Sequence, residues 1–194
     1  MNNSLKLFAV SLISIGLLAA CNDEAKSPAA GTNTTAPSAN VVTSSDGAYS
    51  ISLNGDFKDK IADKAQIAAL RLPGTPVDKV TMLQLAGDEK TGDMVYGISF
   101  EFPAGAKMPP IDDLIKQMDV QTKSMPSVKN AQASKVEGTD NQMMYSMENS
   151  VGGITAYETC RMAVTDKLLT VCVASQNTGD KARLNTMIES FQVK

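Results

Sequence analysis

The chain has 194 residues, with 18 Lys+Arg against 21 Asp+Glu and a formal charge of −3. So mild an acidity offers no electrostatic footprint for nucleic acid, and none is expected as a partner. The sequence holds no histidine, which excludes Ser-His-Asp and Cys-His nucleophilic sites, His-ligated zinc and the commonest general base near neutral pH.

Residues 1–6 are polar and carry Lys6, and residues 7–18 form an apolar run. That run falls short of the roughly 20 residues needed to cross a bilayer and fits the h-region of a secretory signal. It leads into Leu18-Ala19-Ala20-Cys21, which resembles the lipobox of bacterial lipoproteins. The resemblance implies cleavage between Ala20 and Cys21, with lipidation (diacylglyceryl and palmitate) on Cys21. Residues 1–20 are therefore expected to be a lipoprotein signal peptide. The membrane, reached through the Cys21 anchor, and the lipoprotein-processing and sorting machinery are the partners this implies. Among lipoproteins, aspartate after the cysteine usually marks inner-membrane retention. Here Asn22 follows, which favours the outer membrane, with the protein facing the periplasm. Residues 22–45 are almost all small or polar, with Val41-Val42 as the one apolar pair. Such a segment buries too little surface to offset its ordering entropy, so residues 21–45 are read as a lipidated flexible tether.

Residues 46–194 suffice for one domain with its own core. Tyr49, Ile51 and Leu53 alternate with polar residues as in a half-buried strand, and Asn54-Gly55-Asp56 turns the chain. A short helix over 59–70, capped by Asp59, is one reading of the next stretch, broken by Pro73-Gly74. Residues 80–86 form a second strand and 87–92 a hairpin loop. In 94–102 the alternation predicts Tyr96, Ile98, Phe100 and Phe102 inward, with Gly97, Ser99 and Glu101 facing out. Ile111, Leu114, Ile115 and Met118 make a helical stripe, with Asp112 and Asp113 in the first turn and an end by Ser124, before Pro126. Strands follow over 128–136 and 141–148, then a turn over 150–153.

Cys160 and Cys172 lie in two β-rich flanks around the polar Thr165-Asp166-Lys167. A hairpin centred on Asp166 sets them opposite each other, close enough for a structural disulfide, whereas a two-residue turn makes them diagonal neighbours. An even pair of this kind suits an oxidising compartment. Leu184, Met187, Ile188 and Phe191 give a closing amphipathic helix. Strands, a helix, strands and a helix, with hairpins dominating, predict an α+β fold: an antiparallel sheet packed with helices.

The order of elements resembles that of the DcrB-like periplasmic lipoproteins and the wider Mog1/PsbP-like sandwich. The matching residues are Asp46-Gly47, Gly55-Asp56-Phe57, Thr91-Gly92, Asp113-Leu114, Gly152-Gly153-Ile154-Thr155-Ala156-Tyr157 and Leu168-Leu169-Thr170. The extra residues 68–78, the Cys160/Cys172 pair and Asn22 in place of aspartate depart from that family. The resemblance implies a compact envelope domain that acts through protein contacts.

Other candidate chemistry is thin. Met143, Met144 and Met147, with Met162 nearby, invite a copper(I) reading, but alternation separates Met144 from the other two and adaptable packing explains methionine in strands. Asp112 and Asp113 are adjacent on a helix and diverge. Asp56, Asp59 and Asp63 lack the glycine and terminal glutamate of a calcium loop. The reading is therefore a non-enzymatic cell-envelope lipoprotein with no resident metal or cofactor, a protein-binding or envelope-maintenance module whose protein partner the sequence does not name. The alternative is an immunity or inhibitor lipoprotein that neutralises a periplasmic toxin or a wall-degrading enzyme.

Overall fold

The computed structural model describes residues 40–59, 78–106, 108 and 110–194. Ten strands and two helices lie among them. These are β1 (Asn40–Thr43), β2 (Tyr49–Leu53), β3 (Lys58–Asp59), β4 (Lys79–Asp88), β5 (Asp93–Glu101), α1 (Ile111–Ser124), β6 (Val128–Lys135), β7 (Gln142–Val151), β8 (Ile154–Val164), β9 (Leu168–Ser175), α2 (Lys181–Glu189) and β10 (Gln192–Val193). All pairings are antiparallel, in a seven-stranded sheet ordered β3-β4-β5-β9-β8-β7-β6 and a small sheet ordered β1-β2-β10. The expected antiparallel sheet with helices is thus observed.

The large sheet is buried on both faces. One face packs Tyr96, Ile98, Phe100, Met143, Tyr145, Met147 and Met162 against Ile111, Leu114 and Met118 of α1. The other packs Val95, Leu169, Val171 and Val173 against Tyr49, Ile51 and Leu53 of β2 and Leu184, Met187 and Ile188 of α2. This two-sided burial overturns one expectation. Gly97 and Ser99 face away from Tyr96, but inward into the second core rather than out to water. Ser99 is buried, and a Cβ on Gly97 would fall 1.8 Å from the Tyr49 hydroxyl. Glu101 is half-buried and pairs with Lys79 at 3.3 Å; β5 stops there, leaving half-buried Phe102 beyond it. A single-strand alternation cannot reveal that a second layer covers its polar phase.

The domain begins earlier than expected. Asn40–Thr43, assigned by composition to the tether, pairs with Ser50–Leu53, and Val42 packs on the second core while Val41 stays exposed. Asp59 pairs with Ala86 as the end of β3. The helix expected after it, to residue 70, lies outside the described residues, and with it the expected cap role of Asp59.

α1 has the predicted limits. Its first turn hangs on the Pro110 carbonyl, which accepts from the Asp113 and Leu114 amides at 3.0 and 3.1 Å, with Asp112 and Asp113 at the positive end of the helix dipole. The second helix is docked by polar clamps. Arg183 reaches fully buried Asp93 at 2.5 Å, Asp180 at 2.5 Å and the Asn54 carbonyl at 3.3 Å. Lys181 pairs with Glu148 and lies over the Tyr157 ring. Asp88 ties the β4–β5 turn to the 54–56 turn, accepting from the Lys90 and Asp56 amides at 2.8 Å each.

The small sheet joins the two ends of the described chain. β2 lies between β1 and β10, and the Ser190 hydroxyl accepts from the Ser52 amide at 2.8 Å across 138 positions of sequence. The Lys194 amide donates to the Ala48 carbonyl at 2.9 Å.

Candidate functional site

The β8–β9 hairpin turns around Asp166, with Val164 opposite Leu168, so Cys160 stands directly across from Cys172. The two are bonded, with S–S 2.02 Å and Cα atoms 4.0 Å apart, and both are fully buried. The three-strand meander β7-β8-β9 places this bond near the centre of the large sheet, on the α1 side.

Its surroundings are unusually polar for a core. On β8 the phase that faces α1 runs Ala156, Glu158, Cys160, Met162, so Glu158 shares its face with the cystine and is buried. The Tyr96 hydroxyl donates to Glu158 Oε1. The same oxygen lies 3.2 Å from Cys160 Sγ, a sulfur with no proton to donate while the disulfide stands. On the other side the Tyr145 hydroxyl sits 3.5 Å from Cys172 Sγ. Tyr96 and Tyr145 reach the cystine by register, since Tyr96 pairs with Cys172 and Tyr145 with Cys160. Along the same face of β7, Asn149 is buried, and neither side-chain polar atom finds a hydrogen bond among the described residues.

Tyr145 connects this polar core to a surface cleft. Between α1 and the β6–β7 edge lies a cavity of about 390 Å³, lined by Ile115, Met118 and Thr122 of the helix and by Ala133, Tyr145 and Met147 of the strands. β6 creates the room. It is the terminal strand of the sheet, and its register slips between Lys129 and Gln132, where Asn130 takes φ 51°. A bulge of this kind bends an edge strand, and Ala131 and Ala133 are too small to refill the gap. The volume lies within the roughly 300–1,000 Å³ range of small-molecule sites. The floor is apolar and buried, whereas the rim carries Lys116 and Asp119. Both rim charges are held on the helix, Lys116 by Asp113 at 3.4 Å and Asp119 by Lys123 at 2.7 Å.

The sequence-derived candidates distribute as follows. Cys160 and Cys172 form the expected bridge. Ala20 and Cys21 lie outside the described residues, as does Asp63. Met143, Met147 and Met162 belong to the α1-side core, whereas Met144 packs on the opposite one. Asp112 and Asp113 are exposed and Asp56 lies between the exposed ammonium groups of Lys58 and Lys90 at 4.0 and 3.6 Å. The sequence reading missed Glu158 and the cleft. The signal for Glu158 was its parity with Cys160 and Met162, which forces a carboxylate into the core once those two are inside. No local signal marks the cleft, because it arises from a bulge and from the distance between two elements.

In comparisons with known proteins, no family model matches the chain and no curated protein matches it.

Proposed function

We propose that this chain is a non-enzymatic, lipid-anchored binding module of the bacterial cell envelope. Its globular domain belongs to the DcrB-like group with the Mog1/PsbP-like sandwich. It faces the periplasm on a tether from Cys21, with the outer membrane favoured by Asn22. The lipobox Leu18-Ala19-Ala20-Cys21 supports the anchor, and the cystine fits an oxidising compartment.

The observation that carries the binding role is the α1–β6/β7 cleft: an apolar, buried floor beneath an accessible edge strand. Apolar surface left in a concavity gains about 25 cal/mol per Å² when a partner covers it. A flat, charged rim by itself would gain little.

A photo-crosslinking side chain placed at Gln132, on the cleft rim, tests this in cells. The expected result is one dominant envelope protein, captured in quantity and lost when Ala133→Trp fills the cleft. Capture of abundant neighbours only, unchanged by Ala133→Trp, would refute the role. A toxin or wall-degrading enzyme as the captured protein would select the immunity reading. Separately, Cys21→Ser should abolish palmitate labelling; persistent labelling would refute the anchor.

A further inference from the structure

β6 ends one side of the seven-stranded sheet, and among the described residues no strand pairs with its outer edge. The Val136 amide donates to the Gln142 carbonyl at 3.0 Å, which fixes the phase of the β6–β7 ladder. Alternate residues of an antiparallel strand bond the same neighbour. Ser134 and Gln132, opposite Met144 and Ser146, therefore turn their amides and carbonyls to β7. Ala133 and Lys135 turn theirs outward. Ala133 thus serves two surfaces at once: its methyl group lines the cleft, and its main chain faces the open edge. Directly opposed residues on neighbouring strands share a face. A strand added at this edge would therefore set the side chain opposite Ala133 over the same cleft.

Charge narrows what such a strand can be. Lys129, Lys135 and the bulge guard the edge against indiscriminate pairing, yet residues 130–134 between the two lysines are all uncharged. The charges around the cleft are matched within the chain, Lys116 by Asp113, Asp119 by Lys123 and Lys135 by Asp140. A charged side chain laid over the apolar floor would be buried without a partner, so the matching residue is uncharged.

We propose that the partner enters this cleft as an extended segment of its own chain, added to β6 as a further strand with one aliphatic side chain seated beside Ala133. This rests on the cleft being the binding site and names the form of what binds there. The amides and carbonyls of Ala133 and Lys135 hold the segment's main chain, and the seated side chain gives specificity. The bulge at Asn130, with φ 51°, stops regular pairing on the N-terminal side of Gln132.

The probe is a phage-displayed library of random decapeptides selected on the full chain, with the enriched peptides then made synthetically. Enrichment should converge on an aliphatic residue flanked by uncharged β-formers. Replacing that residue by aspartate or lysine should weaken binding about tenfold or more. Methylating a peptide nitrogen that faces β6 should abolish binding, whereas methylating the next one along should be tolerated. Hydrogen exchange at the Ala133 and Lys135 amides should slow about tenfold or more on binding, with little change at Gln132 and Ser134. That measurement needs no variant of the protein, so it decides the matter even should Ala133→Trp unfold the domain. Failure to enrich any peptide would overturn the proposal, as would bound peptides that leave the Ala133 and Lys135 amides exchanging as before. Self-association of the chain through β6 in place of peptide binding would overturn it too. If capture from Gln132 in cells is still lost with Ala133→Trp, these failures remove strand addition alone and leave the cleft reading standing.

Discussion

Replacing Gly97 by alanine tests the two-sided burial of the sheet with a single methyl group. The added Cβ would lie 1.8 Å from Tyr49 Oη, 2.7 Å from Cζ and 3.2 Å from Cε1. Tyr49 cannot yield cheaply. Its ring is fully buried and packs on Phe191 at 5.5 Å between centroids, and its hydroxyl donates to Gln84 Oε1 at 3.0 Å. Overpacking of this kind costs about 1–3 kcal/mol, and loss of the Tyr49–Gln84 bond adds about 0.5–1.5 kcal/mol. The expected destabilisation is thus about 2–4 kcal/mol, or a fall in Tm of roughly 4–16 °C at the 2–4 °C per kcal/mol typical of domains of 150–250 residues. Urea unfolding followed by far-UV circular dichroism measures it directly. The double variant with Tyr49→Phe sharpens the test, because removing the hydroxyl deletes the 1.8 Å contact but keeps the 2.7 Å one. Partial rescue, by about 1 kcal/mol of coupling, is expected. A Gly97→Ala change below about 0.5 kcal/mol would mean that Gly97 faces solvent, as simple alternation suggests, and that the second core is wrongly placed.

Three further outcomes follow from named contacts. Replacing Cys160 and Cys172 together by alanine opens a loop of sequence separation 12 and should cost about 3 kcal/mol by chain entropy, read as a lower Tm under non-reducing conditions; an unchanged Tm would refute a stabilising bridge. Arg183→Ala strips the cation from fully buried Asp93, leaving that carboxylate, among the described residues, only the Thr91 hydroxyl, and should cost about 3–5 kcal/mol in urea titration. Burial raises the Asp46 pKa, but the Lys167 ammonium, the Ala48 amide and the Ser44 hydroxyl outweigh it and hold the carboxyl at about 2. A pKa depressed on folding contributes stability that is complete above about pH 4 and lost as pH falls towards 2. Asp46→Asn should flatten stability across that window and leave its slope above pH 5 unaltered.

Much of the fold was legible because its local signals agree with its global ones. The α1 limits follow from Pro110, the 111/114/118 stripe and Pro126, and the β8–β9 register follows from a polar turn between two β-rich flanks. What escaped was non-local. Val41-Val42 reads as tether because its neighbours are polar, yet β2 offers a partner edge that composition cannot reveal. Gly97 and Ser99 read as outward because small or polar residues in an alternating strand usually are, and only β2 and α2 folding over them make them core. At the candidate site the cystine was readable from spacing, while Glu158 needed the strand phase and the cleft needed the β6 bulge.

The small β1-β2-β10 sheet has a consequence for the order of events in folding. Its middle strand is made early and its last strand very late, so β2 waits for almost the whole domain before Ser190 and β10 reach it. The cysteine hairpin, by contrast, is complete within a dozen positions and can form as soon as it emerges. Closing the covalent rung thus needs far less of the chain than closing the second hydrophobic layer. A chain cut short of α2 would leave Tyr49, Ile51 and Leu53 without the Leu184, Met187 and Ile188 side chains that cover them.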